Sequence, residues 1–565
     1  MFSNIMSFGL CGVEAFPVSV EADISDGLPG FIMVGYLAQE VREAQERVRA
    51  SFKNSGFRLP PRKITVNLSP AGVRKEGTAY DLAIAVSVLC CLGQIAPESV
   101  NGSAFIGELG LDGSIKPVRG VLPRAYAASK LGIKRVFLPV ENVREGMAAR
   151  GLEAVGAGSL KELAQLLADP ASIKGSWFDD SLFPGEEDPE FDMDFDEIRG
   201  LATVRRASEA AVAGKHNILY IGPAGTGKTM AARRLATILP PLSLEESMEL
   251  SKLYSICGLL TADRPLVRMR PFRSPHHSAT AAALTGGGRN PRPGEISLAT
   301  HGILFLDELA EFPPPLVDLL RQPMEEGRIV VSRSSRAVEF PADPLVAAAM
   351  NPCKCGFYPD LGRCRCSEAQ IRRYLGRISG PFLDRIDIGV EVPLPPKFVG
   401  AGGREKGESS AVMRQRVMEA RKRQEERFAG ERIRFNGQMK ARQIERFCPL
   451  SKADQAFLED VYRRLPFSIR GQEKILKTAR TFADLDGKEE RFGFTYRISL
   501  ENYRDFNLMM VEYSMGKSRK KMRIFGILEV LVGILLLCSC FFSQGEVHAL
   551  YYVMGFSLPV VGVFS

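Results

Sequence analysis

The chain lacks most of the features that would make it a secreted or strongly polyanionic-partner protein. Eleven cysteines in 565 residues, Cys90 and Cys91 adjacent among them, are too few for the disulfide framework of a small secreted domain. They read as reduced thiols in the cytoplasm. The N-terminus, Met1 to Phe8, has no basic segment followed by a long apolar one, so no secretory signal is evident. A net charge of +8 is small for this length, and it permits nucleic-acid binding without demanding it. Any such argument needs local clustering. His276 and His277 do not have the His-Glu-x-x-His spacing of a zinc hydrolase and read as loop-orienting residues. Between Gly175 and Ile198 there is no Lys or Arg at all, only carboxylates interrupted by Pro184 and Pro189. That stretch reads as a solvated linker.

What is present is ordinary in bulk: 45% hydrophobic and 25% charged residues, in a chain long enough for about three or four domains. Residues 1–168 mix strands (Val18–Ile24, Lys63–Leu68, Val136–Pro139) with a charged helix, Val41–Asn54, and predict an α+β domain. Residues 169–197 read as the acidic linker, 198–395 as a second α/β core, 396–491 as a helical lid and 492–565 as a tail of different character. The fold class expected is multidomain α/β.

The chemistry concentrates at Gly222-Pro223-Ala224-Gly225-Thr226-Gly227-Lys228-Thr229, between the apolar strand Asn217–Ile221 and an Ala-rich helix. Glycines let the backbone bend and bring N–H groups against phosphate oxygens, and the following helix adds the positive end of its dipole. Lys228 then reaches the β and γ phosphates of ATP, and the Thr229 hydroxyl ligates Mg²⁺. Downstream, Gly302-Ile-Leu-Phe-Leu-Asp307-Glu308 is an apolar strand ending in two carboxylates. Asp307 suits the metal, and Glu308 suits the attacking water.

Two resemblances extend this reading. Arg74–Asp81 and Gly107–Gly120 resemble landmarks of the Lon-protease catalytic domain, of the ribosomal S5 domain 2-like fold. The Ser-Lys dyad of those proteases is missing, because Ala79 stands at the serine position and the lysine position falls near Leu122. Alanine has no nucleophile to activate. Unless Thr78 and Arg124 have been recruited, the domain is catalytically silent. Asp194–Gly200, Gly214–Leu219, Arg270–Ser278, Pro293–Ala299, His301–Glu308 and Gly380–Asp387 resemble the magnesium chelatase-like AAA+ ATPases of the YifB/ComM group. The likeness runs from about residue 8 to 490, and it departs from the group's Gly-Pro-Pro-Gly at Ala224.

That resemblance implies roles. Asn351, after the apolar strand Leu345–Met350, matches the first sensor; Arg385 matches the arginine finger given to a neighbouring subunit; Arg470 matches the second sensor. A permanently charged guanidinium suits both arginine roles. The resemblance further implies a homo-oligomeric ring, a hexamer, and an ATP-driven motor on DNA of the branch-migration type used in recombination and natural transformation. A chelatase-type remodeller of a protein partner is the alternative.

Glu326–Pro341 predicts a β-hairpin turning near Ser334–Ser335, with Arg328, Arg333 and Arg336 along or near its tip as candidate DNA contacts. An exposed hairpin with merely solubilising arginines fits the same residues. In the related replicative helicases such a hairpin projects into the central channel; the glycine-rich loop Gly286–Arg292 is a second candidate channel element, and Arg414–Arg446, laced with glutamates, reads as a solvated helical face. Cys353, Cys355, Cys364 and Cys366 form Cys-x-Cys pairs able to enclose one structural Zn²⁺; free thiols are the other reading. In the tail, basic Lys517–Arg523 precedes the nineteen-residue run Ile524–Phe542, broken only by Glu529. It is long enough for a membrane anchor. A frameshift or fusion joining foreign sequence also accounts for it, and is favoured because the change falls inside a lid element.

Overall fold

The structure is a computed structural model, and it describes residues 2–179, 191–288, 291–333, 336–360, 362–394, 407–464 and 468–487. The tail, with the candidate anchor 524–542, lies outside the described residues. Among the described residues no helix is long and apolar enough to cross a membrane.

The N-terminal part is built on one sheet. Its elements are β1 (Phe2–Cys11), β2 (Glu14–Ser25), β3 (Gly30–Val34), α1 (Ala44–Asn54), β4 (Lys63–Ser69), α2 (Asp81–Cys91), β5 (Ser103–Phe105), the small hairpin β6 (Glu108–Leu109) and β7 (Ile115–Lys116), α3 (Val121–Lys130), β8 (Arg135–Pro139) and β9 (Glu153–Ala157). Seven strands run in the order β3-β4-β2-β1-β5-β8-β9. The alternation read in Val18–Ile24 is real, with Val18, Val20, Ala22 and Ile24 turned into the core. Every residue of α2 is buried, as a helix that is apolar on all sides must be. The predicted helix Val41–Asn54 is broken at Glu43: a turn, Gln39–Arg42, precedes α1, whose Ala44, Val48 and Phe52 form the buried stripe.

A second sheet organises the rest. It contains β10 (Ile218–Ile221), β11 (Phe272–Arg273), β12 (Ile303–Leu306), β15 (Leu345–Met350) and β16 (Ile388–Glu391), in the order β11-β12-β15-β10-β16. All of its pairings are parallel. β10, β12 and β15 are buried at every position, the continuous apolar signature of strands covered on both faces. Around them lie α4 (Ala202–Gly214), α5 (Lys228–Arg234), α6 (Leu244–Cys257), α7 (Arg321–Glu326), α8 (Ser410–Arg427) and α9 (Ile469–Leu485). β13 (Arg328–Arg333) and β14 (Arg336–Pro341) form the predicted hairpin.

Two readings from charge pattern change here. Register pairs Arg328 with Pro341 and Arg333 with Arg336, so Arg328 sits at the base of the hairpin, not its tip. There it is held between Glu326 and Glu339, 3.3 and 3.0 Å away. The basic stretch after Arg414 is not simply a solvated face. Arg416 pairs with Glu209, Arg421 lies over the Phe435 ring and donates to the Val212 carbonyl, and Arg427 pairs with the buried Asp484. Those arginines fasten α8 to α4 and α9. The acidic stretch likewise carries structure at its described ends: Ser176 bridges to Ala154, and Phe195 is fully buried beside Ile198 and Val204.

The two sheets' layers meet through α3 and α6. Gly120 N donates to Ser255 O at 3.1 Å, Glu145 accepts from Ser255 Oγ at 2.5 Å, and Leu122, Ala148 and Leu266 share an apolar cluster. Val13, at the β1–β2 turn, packs with Val338 and Phe340 of β14. The N-terminal domain is therefore a brace for the hairpin.

His216 joins core and lid. It is fully buried, its Nε2 is 2.7 Å from Thr481 Oγ1 on α9, and its Nδ1 is 4.0 Å from Asp387 Oδ2. Burial, reinforced by Lys477, pushes its imidazole down from 6.5 to about 3. The folded chain thus keeps it neutral where the unfolded chain protonates, so this contribution is complete above about pH 6.5 and shrinks as pH falls toward 3. Thermal unfolding is expected to lose on the order of 1–2 kcal/mol between pH 7 and 5 through this group. A His216→Gln chain, which cannot take up that proton, should show a flatter pH profile; an unchanged profile would remove His216 from the account.

Candidate ATP site and its two outlying arginines

The turn after β10 is shaped by what its glycines lack. A Cβ at Gly222 would lie 2.2 Å from the Val392 carbonyl oxygen, and Gly225 and Gly227 adopt φ of +76° and +95°, where side chains are strained. Thr226 Oγ1 closes the turn on the Pro223 carbonyl at 3.0 Å. Ala224, the departure from the usual second proline, is an exposed position of the loop, and no side-chain contact there depends on proline.

Lys228 begins α5 and folds back over the loop. Its Nζ donates to the carbonyls of Gly222 and Pro223 at 2.7 and 2.6 Å and to Asn351 Oδ1 at 3.0 Å. Burial lowers the ammonium's pKa, while the Asp307 and Glu308 carboxylates oppose that shift. Thr229 Oγ1 donates to Asp307 Oδ2 at 2.9 Å, so hydroxyl and carboxylate from adjoining elements meet as a pair. These oxygens are hard donors suited to Mg²⁺, and the cradle around Lys228 fits a polyphosphate. Glu308 follows at φ +51°, a left-handed conformation rare outside glycine, with its carboxylate exposed. Such strain is typical of functional turns. Lys228, Thr229, Asp307 and Asn351 are thus linked by hydrogen bonds, with Glu308 at their edge. His277 lies nearby only in the sense that its ring meets Phe312 edge-on, four residues beyond Glu308.

Directly after Asn351 come the four cysteines. Their Sγ atoms all lie within 4.8 Å of one another, with pairs at 3.3, 3.8 and 3.6 Å. A tetrahedral Zn²⁺ bound at about 2.3 Å spaces its sulfurs about 3.8 Å apart, so the donor set fits. The loop they close touches the phosphate turn: a Cβ at Gly356 would sit 3.6 Å from Ala224 N. Burial pushes the Tyr374 phenol up to about 12, a shift that the Asn351 backbone opposes.

Arg385 and Arg470 do not belong to that constellation. Arg385 is fixed by the Pro381 carbonyl and by Glu325 of α7, and Arg470 Nη2 donates to the same Glu325 Oε1 at 3.1 Å. Asn217 at the start of β10 holds the Arg385 carbonyl at 2.9 Å. Because the sheet is parallel, this is the N-terminal end of β10, whereas the phosphate turn is at its C-terminal end. The four residues of β10 separate Asn217 from Gly222, a rise of roughly 16 Å. In this structure both guanidinia are held at Glu325 and make no hydrogen bond to the set around Lys228. α9 carries Arg470 into place partly through Lys474, whose Nζ donates to the Ile386 carbonyl at 2.7 Å. Sequence reading did not find Glu325; in Met324-Glu325-Glu326-Gly327 it looks like any surface carboxylate.

Ala79 is buried, the Thr78 hydroxyl is taken by Glu108, and Arg124 is buried with its guanidinium on the carbonyls of Phe8 (2.9 Å), Arg119 (2.5 Å) and Gly120 (3.0 Å). Thr78 and Arg124 are thus each engaged with other groups.

Comparison with known proteins gives concordant matches along the chain. The family described as magnesium chelatase, subunit ChlI, matches residues 194–398; subunit ChlI of Mg-chelatase matches 20–142; and the ChlI C-terminal family matches 407–491. The chain is 41% identical over 475 residues to the uncharacterized protein YifB of Salmonella typhimurium, covering 84% of this chain and 92% of that protein. It is 40% identical over 487 residues to competence protein ComM of Haemophilus influenzae, covering 85% and 93%. A shorter similarity, 33% over 91 residues, joins it to the DNA repair protein RadA of Bacillus subtilis, covering 16% of this chain and 19% of that one.

Proposed function

Since the chain belongs to the YifB/ComM group of magnesium chelatase-like ATPases, we propose that it is an ATP-hydrolysing ring motor that acts on DNA. The observation that carries the ring is the separation of Arg385 and Arg470 from the phosphate turn, at opposite ends of one parallel sheet. A chain so built completes its site only with a neighbour. The turn 222–229 would hold the ATP phosphates, with Lys228 on the terminal ones and Thr229 and Asp307 on Mg²⁺. The metal, when bound, neutralises charge on the β and γ oxygens. Glu308 positions and deprotonates the attacking water, Asn351 orients it, and the neighbour's Arg385 stabilises charge developing on the transferred phosphoryl group. Arg470, sharing Glu325 with Arg385, joins the same donated face, so both arginines act on the neighbour's ATP. A hexamer is the ring size that the family resemblance implies.

DNA as substrate rests on two supports. The Haemophilus relative is named a competence protein and the Bacillus match a DNA repair protein. The hairpin also brings Arg333 and Arg336 to its turn, opposite each other in register. Cationic groups there would grip phosphates without reading bases, the requirement for a translocating or branch-migrating motor. Zn²⁺ on Cys353, Cys355, Cys364 and Cys366 would brace the loop between Asn351 and the phosphate turn.

ATPase activity of the purified chain is expected to rise several-fold with single-stranded or forked DNA, and Arg333→Ala with Arg336→Ala should weaken DNA binding about tenfold at low salt while leaving DNA-free activity intact. ATPase indifferent to DNA, with unaltered binding in the double variant, would reject the DNA motor and favour a remodeller of a protein partner. Metal analysis should return close to one zinc per chain. Less than about half an equivalent would reject the zinc centre.

A further inference from the structure

We propose that Glu325 is a latch, a positioning residue that parks Arg385 and Arg470 together until a neighbour's phosphate displaces it, and that its release is transmitted to the channel hairpin. The proposal rests on the reading of Arg385 as a group donated to the next subunit.

The parking geometry is specific. One oxygen, Glu325 Oε1, accepts from Nη2 of both arginines, although one arginine precedes β16 in the core and the other opens α9 of the lid. With Arg385 Nη1 on the Pro381 carbonyl, that side chain is only 11% exposed, and its Nε is buried without a hydrogen bond. A finger so covered cannot reach another molecule. It must leave Glu325 first. The Glu325 side chain is 44% exposed and Arg470 55%, so their pair is screened by water and weak, and the Arg385 pair is open to water on its carboxylate side. A phosphate carrying more charge, in a site closed from solvent by the neighbour, competes well for the same guanidinium donors.

Glu325 also stands where release can be felt. It is the penultimate residue of α7, which ends on Gly327 in a left-handed cap whose N–H donates to the Pro323 carbonyl at 2.9 Å. The next residue, Arg328, starts β13 and is clamped by Glu326 on α7 and Glu339 on β14. Helix end and hairpin base are therefore one unit. The β13–β14 ribbon runs six register pairs from that base to Arg333 and Arg336, so a small rotation at α7 becomes a larger excursion at the turn. When the arginines swing to the neighbour, α7 loses its two anchors in the finger loop and lid, and the hairpin is freed to move. ATP arriving at one subunit would thereby reposition the channel element of the next.

The test compares Glu325→Gln, Glu325→Asp and Arg385→Ala with the parent chain, assembled with MgATP and assayed with and without DNA. Glu325→Gln keeps the shape and loses the charge, so DNA-free ATPase should rise about 3- to 10-fold, DNA stimulation should fall correspondingly, and ATP affinity should stay within about twofold. Glu325→Asp should return both rates toward the parent. In an Arg385→Ala background, Glu325→Gln should bring no increase. If Arg385→Ala is inactive but Glu325→Gln has parental rates and stimulation, the latch is wrong and the donated finger survives. If Arg385→Ala retains full activity, the finger reading fails and the latch falls with it.

Discussion

A parallel sheet gives its two ends different chemistry, and this polarity is the constraint on which the rest of the molecule depends. Strand β10 delivers the phosphate turn at its C-terminal end, where backbone N–H groups and the start of α5 favour anions. The loop entering β16 delivers Arg385 at the N-terminal end, tied there by Asn217. In the folded chain the two stand apart, with the Arg385 guanidinium on Glu325 and Lys228 over the turn. The lid adds to this separation: α9 is pinned through Thr481, Asp484 and Lys474, and those contacts carry Arg470 to the same end as Arg385.

How much of this was legible in the sequence follows from how local each feature is. The phosphate turn and Asp307–Glu308 each follow an apolar strand, so short windows sufficed to read them, whereas Asn351 was read through the resemblance; their meeting at Lys228 and Thr229 is a consequence of strand order. Arg385 was legible only through motif resemblance. Its company was not, because Glu325, Arg385 and Arg470 are distant in sequence and only the folded sheet and lid bring them to one carboxylate. Charge counting failed where direction mattered. It could not tell the base of the hairpin from its turn, and so could not separate Arg328 from Arg333 and Arg336; nor could it see that Arg416, Arg421 and Arg427 face neighbouring elements.

The N-terminal sheet and its helices contribute packing to the rest of the chain. The groups that might have formed a dyad are committed elsewhere, Thr78 to Glu108 and Arg124 to three carbonyls around the start of α3. The latter fixes the very segment that docks on α6, through Gly120 and Ser255. The same domain supports β14 through Val13. Arg124 is thus retained for shape. A brace of this kind limits the hairpin's base to few positions, which is what a lever driven from α7 needs.

The central claim, that each ATP site is completed by the neighbouring subunit, is tested most directly by mixing two inactive chains. Lys228→Ala lacks a functional phosphate turn but donates an intact Arg385; Arg385→Ala lacks the finger but keeps its own turn. Assembled together, they should form mixed interfaces in which an intact turn faces an intact finger, and ATPase activity should reappear at about a quarter of the parental level for random pairing. Activity that stays absent in assemblies verified to contain both chains, or an Arg385→Ala chain fully active by itself, would contradict the account.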